Sequence, residues 1–272
     1  MASHYEVLVV RHGTRTARRS DVFLNYSQYG LPDGPHTVDY YFWIIRADDK
    51  TVLVDTGFAS DPALRRGRTI LVDAEAGYRE LGVDPLLPID IIVTHAHYDH
   101  IGNLALFPHA TIVIAQSELD FWTSELATRP LVAHFSEPSE INLLERLHHE
   151  GRLRTFSGTL KLLPGIEVIE VGGHTPGQSM VKVDTTEGVV LLTSDAVHFR
   201  EELTSEMPFV SVTDLLGMYR GFALVNKLLA DHDVDIVVPG HDADVLHTIA
   251  AYPTTPTSPL LGQVGVVGLR TR

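Results

Sequence analysis

Four potential metal ligands stand within six residues of this chain, in the segment Thr94-His95-Ala96-His97-Tyr98-Asp99-His100. They directly follow Ile89 to Thr94, an apolar run whose length suits a buried strand. Side chains two apart in an extended segment point the same way, so His95 and His97 can converge on one metal. A helix near Asp99 to Leu106 bends the chain and turns Asp99 and His100 towards a neighbouring point. One short loop thus feeds two adjacent metal positions. Imidazole and carboxylate donors suit zinc, and also iron, manganese or cobalt.

Two metals need further ligands, and three are found where expected strands end. His174 follows the run Ile166 to Val171 within Gly172-Gly173-His174-Thr175-Pro176-Gly177. Asp195 follows Val189 to Thr193, and His241 follows Asp235 to Val238 in Pro239-Gly240-His241. The glycines let backbone approach closely and the prolines stiffen the exits. Recurrence at strand C-termini favours a two-metal reading over any one residue taken alone.

The rest of the chain reads as mixed strands and helices in one α/β domain, residues 1–272, with layered sheets. Tyr5 to Val10 is a short apolar run, followed by a basic loop with Arg11, Arg15, Arg18 and Arg19. Val38 to Ile45 and Thr51 to Val54 read as a hairpin about Ala47-Asp48-Asp49-Lys50. Ala74 to Leu81 is a helix candidate and Thr111 to Ala115 a strand. An insertion near 117–165 is mainly helical, with Ser139 a candidate cap and Gly151 at the C-terminal left-handed position. Strands return at Met180 to Val183, after which Glu187-Gly188 makes a tight turn. Thr213 to Ala230 is the strongest helix, with Leu215, Leu216, Tyr219, Phe222 and Ala223 at helical spacing. The tail, with Pro253, Pro256 and Pro259, reads as irregular.

Composition narrows the partners. With 21 basic against 35 acidic residues the 272-residue chain carries a formal charge of −14, which argues against a phosphate-backbone grip and so against nucleic acid. There is no cysteine, hence no disulfide, thiolate nucleophile or sulfur ligand. No apolar run approaches the ~20 residues of a membrane span, and Met1 to Val10 has no signal-peptide core. A soluble cytoplasmic protein is expected, with no membrane partner.

The series His95, His97, Asp99, His100, then His174 in Gly-His-Thr-Pro-Gly, Asp195, and His241 in Pro-Gly-His resembles the metallo-β-lactamase fold superfamily over roughly residues 38 to 245. Val54-Asp55-Thr56-Gly57 matches a strand end of the same family. The resemblance implies a four-layer αβ/βα sandwich. It also implies one metal held by His95, His97 and His174, a second held by Asp99, His100 and His241, and Asp195 bridging. Asp55 would orient a ligand histidine. Two divalent ions per chain, zinc by resemblance, would then be the cofactors. Cysteine-using lactamases of the fold are excluded by composition. Di-iron oxidoreductases of the fold carry an acid where this chain has His97. Glyoxalase II-like thioester hydrolases share the seven ligands but add a basic C-terminal pair, for which the tail offers only Arg270 and Arg272.

In layout the chain is most similar to the dinuclear N-acyl-homoserine lactonases, the quorum-quenching enzymes. Those usually place a tyrosine three residues after the bridging aspartate, where this chain has His198, which is read as a donor to substrate or leaving group. The expected reaction is hydrolytic opening of a lactone ring: two cations roughly 3.5–4 Å apart present a bridging hydroxide at neutral pH, and Asp99 shuttles the proton. A small cyclic ester is the expected partner. Another cyclic or activated carbonyl (an amide, imide or thioester) is the alternative within enzymes. A non-catalytic metal-binding protein is the alternative outside them.

Several features remain open on sequence alone. Arg65-Arg66-Gly67-Arg68 either guides an anion, holds a neighbouring subunit or is solvated surface. Tyr40-Tyr41-Phe42-Trp43 alternates along a strand and predicts one core face and one exposed face. Phe121, Trp122, Phe135 and Met207 either line an apolar pocket or pack on the scaffold. His148 and His149 read as solvated, His109 and His134 have no assignment, and the helical insertion is a candidate homodimer surface.

Overall fold

The computed structural model describes residues 4–47 and 50–268. In chain order the strands are β1 (Glu6–Arg18), β2 (Pro35–Ala47), β3 (Lys50–Val54), β4 (Thr69–Ile70), β5 (Asp90–Ile92), β6 (Thr111–Ala115) and β7 (Leu153–Phe156). There follow β8 (Thr159–Leu163), β9 (Ile166–Glu170), β10 (Ser179–Thr185), β11 (Gly188–Ser194), β12 (Ile236–Pro239), β13 (Ala250–Ala251) and β14 (Val264–Val267). One sheet runs β13-β14-β1-β2-β3-β5-β6-β7 with β4 also on β1, and the other runs β12-β11-β10-β9-β8.

The two sheets face each other. Tyr41, Trp43, Ile45, Val52 and Val113 of the first interdigitate with Val168, Val181, Val190 and Leu192 of the second. On the outer side of the first sheet, Phe42, Ile44, Leu53 and Ile112 pack under helical residues Tyr78, Leu144 and Leu147. On the outer side of the second, Met180 and Leu191 meet Met218, Phe222 and Val225 of the Leu215–Ala230 helix. Helix, sheet, sheet, helix is the metallo-β-lactamase fold, a layered sandwich. It also corrects one expectation: Tyr40, Tyr41, Phe42 and Trp43 are all buried, because both faces of the central strands are covered.

Other elements depart from the sequence reading for physical reasons. The basic loop after Val10 is instead the second half of a 13-residue strand, β1, paired along its length with β2. Its register slips between Arg11 and Gly13, which turns His12 into the interior, the usual effect of a bulge. The tail supplies β14, whose Val264–Val267 pairs with Val7–Val10. The helical stretch after β6 ends at His149, and β7 and β8 follow. Ser139 does not cap the Pro138–His149 helix, which starts with Pro138 in its first turn and Glu137 at the cap position, since proline arrives with its backbone preset for the first turn. Gly151 does adopt a left-handed φ of 71°. The inward stripe of the Leu215–Ala230 helix is Gly217, Met218, Gly221, Phe222 and Val225, while Leu215 and Leu216 are exposed. Of the expected hairpin turn, Asp48 and Asp49 lie outside the described residues, as do Arg270 and Arg272. Among the described residues no helix is long and apolar enough to cross a membrane.

Candidate metal centre

The loops after parallel β3 and β5 in the first sheet, and after β9, β11 and β12 in the second, carry the site. After β3, Asp55 takes a left-handed φ of 58°. This conformation costs a non-glycine residue roughly 1 kcal/mol or more and is held here by its side-chain bonds. Its carboxylate accepts from the Thr94 amide and hydroxyl, both at 2.8 Å, and from His100 Nδ1 at 2.7 Å. Asp55 thereby holds the start of the ligand loop and one of its histidines together.

The loop after β5 brings His95, His97, Asp99 and His100 into the interior, the last two at the head of the short Tyr98–Ile101 helix. His174 arrives from the loop after β9. Gly173 there packs so closely on Gly217 that a Cβ on either would lie 2.7–2.8 Å from backbone atoms of the other segment. Asp195 follows β11 and His241 follows β12. The seven side chains form two groups whose donor atoms lie within 4.8 Å of one another: His95, His97, His174 and Asp195, and beside them Asp99, His100 and His241. The structure thus brings together the seven residues named from sequence, with Asp195, expected to lie between the two sets, clustering with the first.

Asp195 stands between the groups. Its Oδ1 is 3.3 Å from His100 Nε2 and 3.1 Å from His241 Nε2, and its Oδ2 is 3.3 Å from His174 Nε2 and 3.8 Å from His95 Nε2. His241 Nε2 is also 3.2 Å from Oδ2, so the carboxylate as a whole lies within reach of both groups.

The outer ring nitrogens are committed elsewhere. Nδ1 of His174 donates to the Ser211 carbonyl at 2.8 Å, Nδ1 of His241 to the Asp39 carbonyl at 2.7 Å, and Nδ1 of His100 to Asp55. A proton fixed on Nδ1 leaves Nε2 as a bare lone pair, the form a metal needs. Nε2 of His95 and of His100 is buried without a hydrogen-bond partner, and leaving such groups unmatched inside a protein is costly. His97 Nδ1 and His174 Nε2 lie 3.0 Å apart and His241 Nε2 lies 3.2 Å from Asp195 Oδ2, so imidazoles and carboxylates converge on one small buried volume, a donor set that fits divalent cations. Burial and the surrounding imidazoles push His95 and His97 well below the ordinary histidine range, and burial takes His174 down to about 3. Burial opposes charge on His100 too, but Asp195, Asp55 and Asp99 outweigh it and hold its pKa well up.

His198 is fully buried, with Nε2 3.1 Å from Asp195 Oδ2 and Nδ1 3.4 Å from Glu202 Oε1. Its ring stacks on Phe209 at 4.1 Å. Burial opposes its charge, Asp195 and Glu202 outweigh burial, and the pKa is pushed up to about 9.

The wall is partly as expected. Trp122 and Phe135 stand over His97 with ring centroids 5.5 and 5.4 Å away. Phe121 packs against the core under the first sheet, and Met207 lies in a separate cluster with Phe23, Phe199 and Phe209. In the arginine cluster Arg65 is exposed, as a solvated charge would be, while Arg66 and Arg68 are partly buried against neighbouring segments. Arg65 and Arg66 grip Glu137 at 2.7 and 2.9 Å, and Arg66 also binds the His134 and Ser136 carbonyls. Arg68 reaches the Tyr98 hydroxyl at 3.0 Å. These contacts fasten the segment carrying Phe135. His109, His134, His148 and His149 are exposed.

Sequence reasoning missed the buried carboxylates Glu118 and Glu202, as well as His12. Glu202 accepts from the amides of His198, Phe199 and Phe209. His12 donates Nδ1–H to the Val72 carbonyl at 2.7 Å and its Nε2 accepts from the Phe58 amide at 3.3 Å, steadying the loop after Asp55. Each glutamate sits in a helix of ordinary polarity, and nothing local marks it.

Residues 38–241 match the family profile described as the metallo-beta-lactamase superfamily. The chain belongs to that superfamily. Its candidate ligand clusters lie within the matched residues, and the chain spans 64% of the length of the curated lactonases it matches first. Among curated relatives, an N-acyl homoserine lactonase of a Bacillus species is 25% identical over 176 residues, 64% of this chain and 64% of that enzyme's length. A probable metallo-hydrolase of Mycobacterium tuberculosis is 29% identical over 229 residues, 74% of each chain. Among solved structures, a quorum-quenching N-acyl homoserine lactone lactonase aligns with a TM-score of 0.72 at 21% identity, covering 90% of this chain and 94% of that one. A dizinc quorum-quenching lactonase aligns at 0.71 and 20% identity, covering 89% of each.

Proposed function

We propose that the chain is a two-metal lactonase, most simply a dizinc one, opening the ring of a small cyclic ester. The observation that carries this is the Asp195 carboxylate, which lies 3.1–3.8 Å from histidine nitrogens of both ligand groups. An inert metal store has no use for a carboxylate shared between two sites, whereas a pair of cations acting on one ester does. His95, His97 and His174 would hold one ion and Asp99, His100 and His241 the other, with Asp195 common to both. Bound there, two divalent cations supply a water acidic enough to attack at neutral pH and an electrophile for the carbonyl oxygen.

The protein's own groups do the rest. Asp55 and the Asp39 and Ser211 carbonyls fix the imidazole tautomers. Asp99, slightly exposed at the edge of the nest, accepts the proton released on attack and returns it to the leaving oxygen. A ring ester suits such a site because its leaving alkoxide stays tethered beside that carboxyl. His198, held by Glu202, keeps Asp195 in place from behind. That role differs from the substrate contact made by the tyrosine of the related lactonases, and it leaves recognition to Trp122, Phe135 and the segments carrying them.

Acid release by zinc-loaded protein, followed with a pH indicator, tests the reading against acyl-homoserine lactones of several chain lengths, plain and aromatic lactones, cyclic imides and a thioester. Turnover of lactones well above the other classes is expected. Turnover confined to imides or thioesters would move the substrate class, and silence across the panel with both ions bound would contradict the enzyme reading.

A further inference from the structure

The two ligand loops that serve the His95, His97 and His174 group share a single buried anchor. Glu118 lies in the Gln116–Trp122 helix with no solvent exposure. Its Oε1 accepts from the Ala96 amide at 2.8 Å and from the Trp122 indole at 2.7 Å. Its Oε2 accepts from the Thr175 hydroxyl at 2.7 Å and the Gly177 amide at 2.8 Å. Ala96 sits between His95 and His97, and Thr175 follows His174. One carboxylate thus joins the two loops that bring all three histidines, and fixes the indole that stands over His97.

A second observation points to the same closeness. A Cβ at Gly177 would lie 2.4 Å from the Glu118 backbone nitrogen, so the His174 loop is seated directly on this helix and only glycine fits. No bond from Glu118 reaches Asp99, His100 or His241. That group is held by Asp55 and by the Asp39 carbonyl. Burial pushes the Glu118 carboxyl up and its four donors oppose that rise, which is why the full set of donors matters to the carboxylate form.

We infer that Glu118 is the positioning residue for one of the two metal positions, setting the spacing of His95 and His97 against His174 while leaving the second position largely to Asp55. The inference rests on the two-metal reading above. An amide at this position presents one acceptor oxygen and one NH2, so either the Ala96 and Trp122 pair or the Thr175 and Gly177 pair faces a donor with a donor. The loops then separate by the small distances to which metal affinity is sensitive.

The test is cobalt(II) binding, read by its visible absorbance, in two full-length backgrounds that each keep one position: His100→Ala for the histidine-rich one and His97→Ala for the other. Adding Glu118→Gln is expected to weaken cobalt binding about 10–100-fold in the His100→Ala background and less than about threefold in the His97→Ala background. Metal-free melting curves report whether each variant folds. Thr175→Val, which removes one donor and leaves three, serves if Glu118→Gln does not, and is expected to show a smaller loss in the same background only. Equal loss in both backgrounds, or none in either, would overturn the inference while leaving two-metal binding intact. A wild-type chain that takes up no cobalt would overturn the two-metal reading and this inference with it.

Discussion

The two ligand groups lie side by side and share Asp195, yet they are made of different chemistry. The His95, His97 and His174 group is built from imidazoles that burial keeps neutral. Its loops are fastened through backbone amides and a hydroxyl to Glu118. The Asp99, His100 and His241 group mixes carboxylate with imidazole, and His100 sits among Asp195, Asp55 and Asp99, which favour its protonated form. Its histidines are fastened directly through Nδ1 to Asp55 and to the Asp39 carbonyl. The first group is held mainly through its loops, with one ring, His174, fixed through Nδ1 on the Ser211 carbonyl, whereas both histidines of the second are fixed through Nδ1. Among the described residues Asp195 is the one carboxylate within 3.8 Å of histidine nitrogens of both, which the two-metal proposal makes their shared ligand.

That dependence sets the largest expected effect. Asp195→Ala removes the shared ligand, and turnover is expected to fall on the order of 10³-fold or more, as when a central member of a catalytic unit is lost. Metal content by mass spectrometry should fall below one ion per chain. Two ions retained with activity near wild type would break the comparison at its joint.

Asp55→Asn sharpens it next. An asparagine oxygen still accepts from the Thr94 amide, but its NH2 faces His100 Nδ1, which drives the ring proton to Nε2 and occupies the lone pair aimed into the site. Metal affinity of the Asp99, His100 and His241 group is expected to fall about 10–100-fold, measured by competition with a chromophoric chelator, with the other group near its wild-type value. The opposite order would show that the groups are not held separately.

The pH dependence of the metal-stripped protein follows from the opposed shifts. His174 titrates at about 3 in the fold against ~6.5 when unfolded, so the unfolded chain binds the extra proton and stability falls as pH drops below about 6.5. His198, pushed up to about 9, acts in the other direction: its contribution is present below about 6.5 and fades as pH rises through about 9. Melting temperature of the stripped protein is therefore expected to peak near neutrality and to decline towards both pH 4.5 and pH 9. A monotonic profile would mean that one set of shifts is absent.

The smallest effect lies outside both groups. Glu140 is buried with Oε2 unpartnered, and burial, then Glu137 and Asp99, push its carboxyl up from 4.5 to about 8. A carboxyl held protonated stabilises at low pH, and that contribution is lost as pH rises from about 4.5 to about 8. Glu140→Gln should match wild type at pH 5 and melt about 2–4 °C higher at pH 8.5, on the order of 1 kcal/mol. Equal melting at both pH values would place an unrecognised partner on Glu140.

How far the sequence announced all this differs along the chain. The residues that the structure gathers into its two clusters were legible because metal chemistry demands particular side chains at strand ends, so His95, His97, Asp99, His100, His174, Asp195 and His241 stand out against their neighbours. The layered fold was legible through the resemblance those residues carry and through runs such as Thr111 to Ala115. The residues that hold the ligands were not. Glu118 in Gln-Ser-Glu-Leu-Asp and Glu202 in Arg-Glu-Glu-Leu look like solvated helix charges, and only tertiary contact shows that each carboxylate faces backbone amides. Leu215 and Leu216 misled because apolar spacing identifies a helix without saying which side meets the sheet. Val264–Val267 was passed over as tail because a strand that pairs with the chain's beginning has no local partner to announce it.

The central claim, two metal positions joined at Asp195, is tested most directly by titrating metal-stripped protein with cobalt(II) and following the visible absorbance to saturation. The account predicts a break at two equivalents per chain for wild type, one for His97→Ala and one for His100→Ala. A break at a single equivalent in wild type would contradict it.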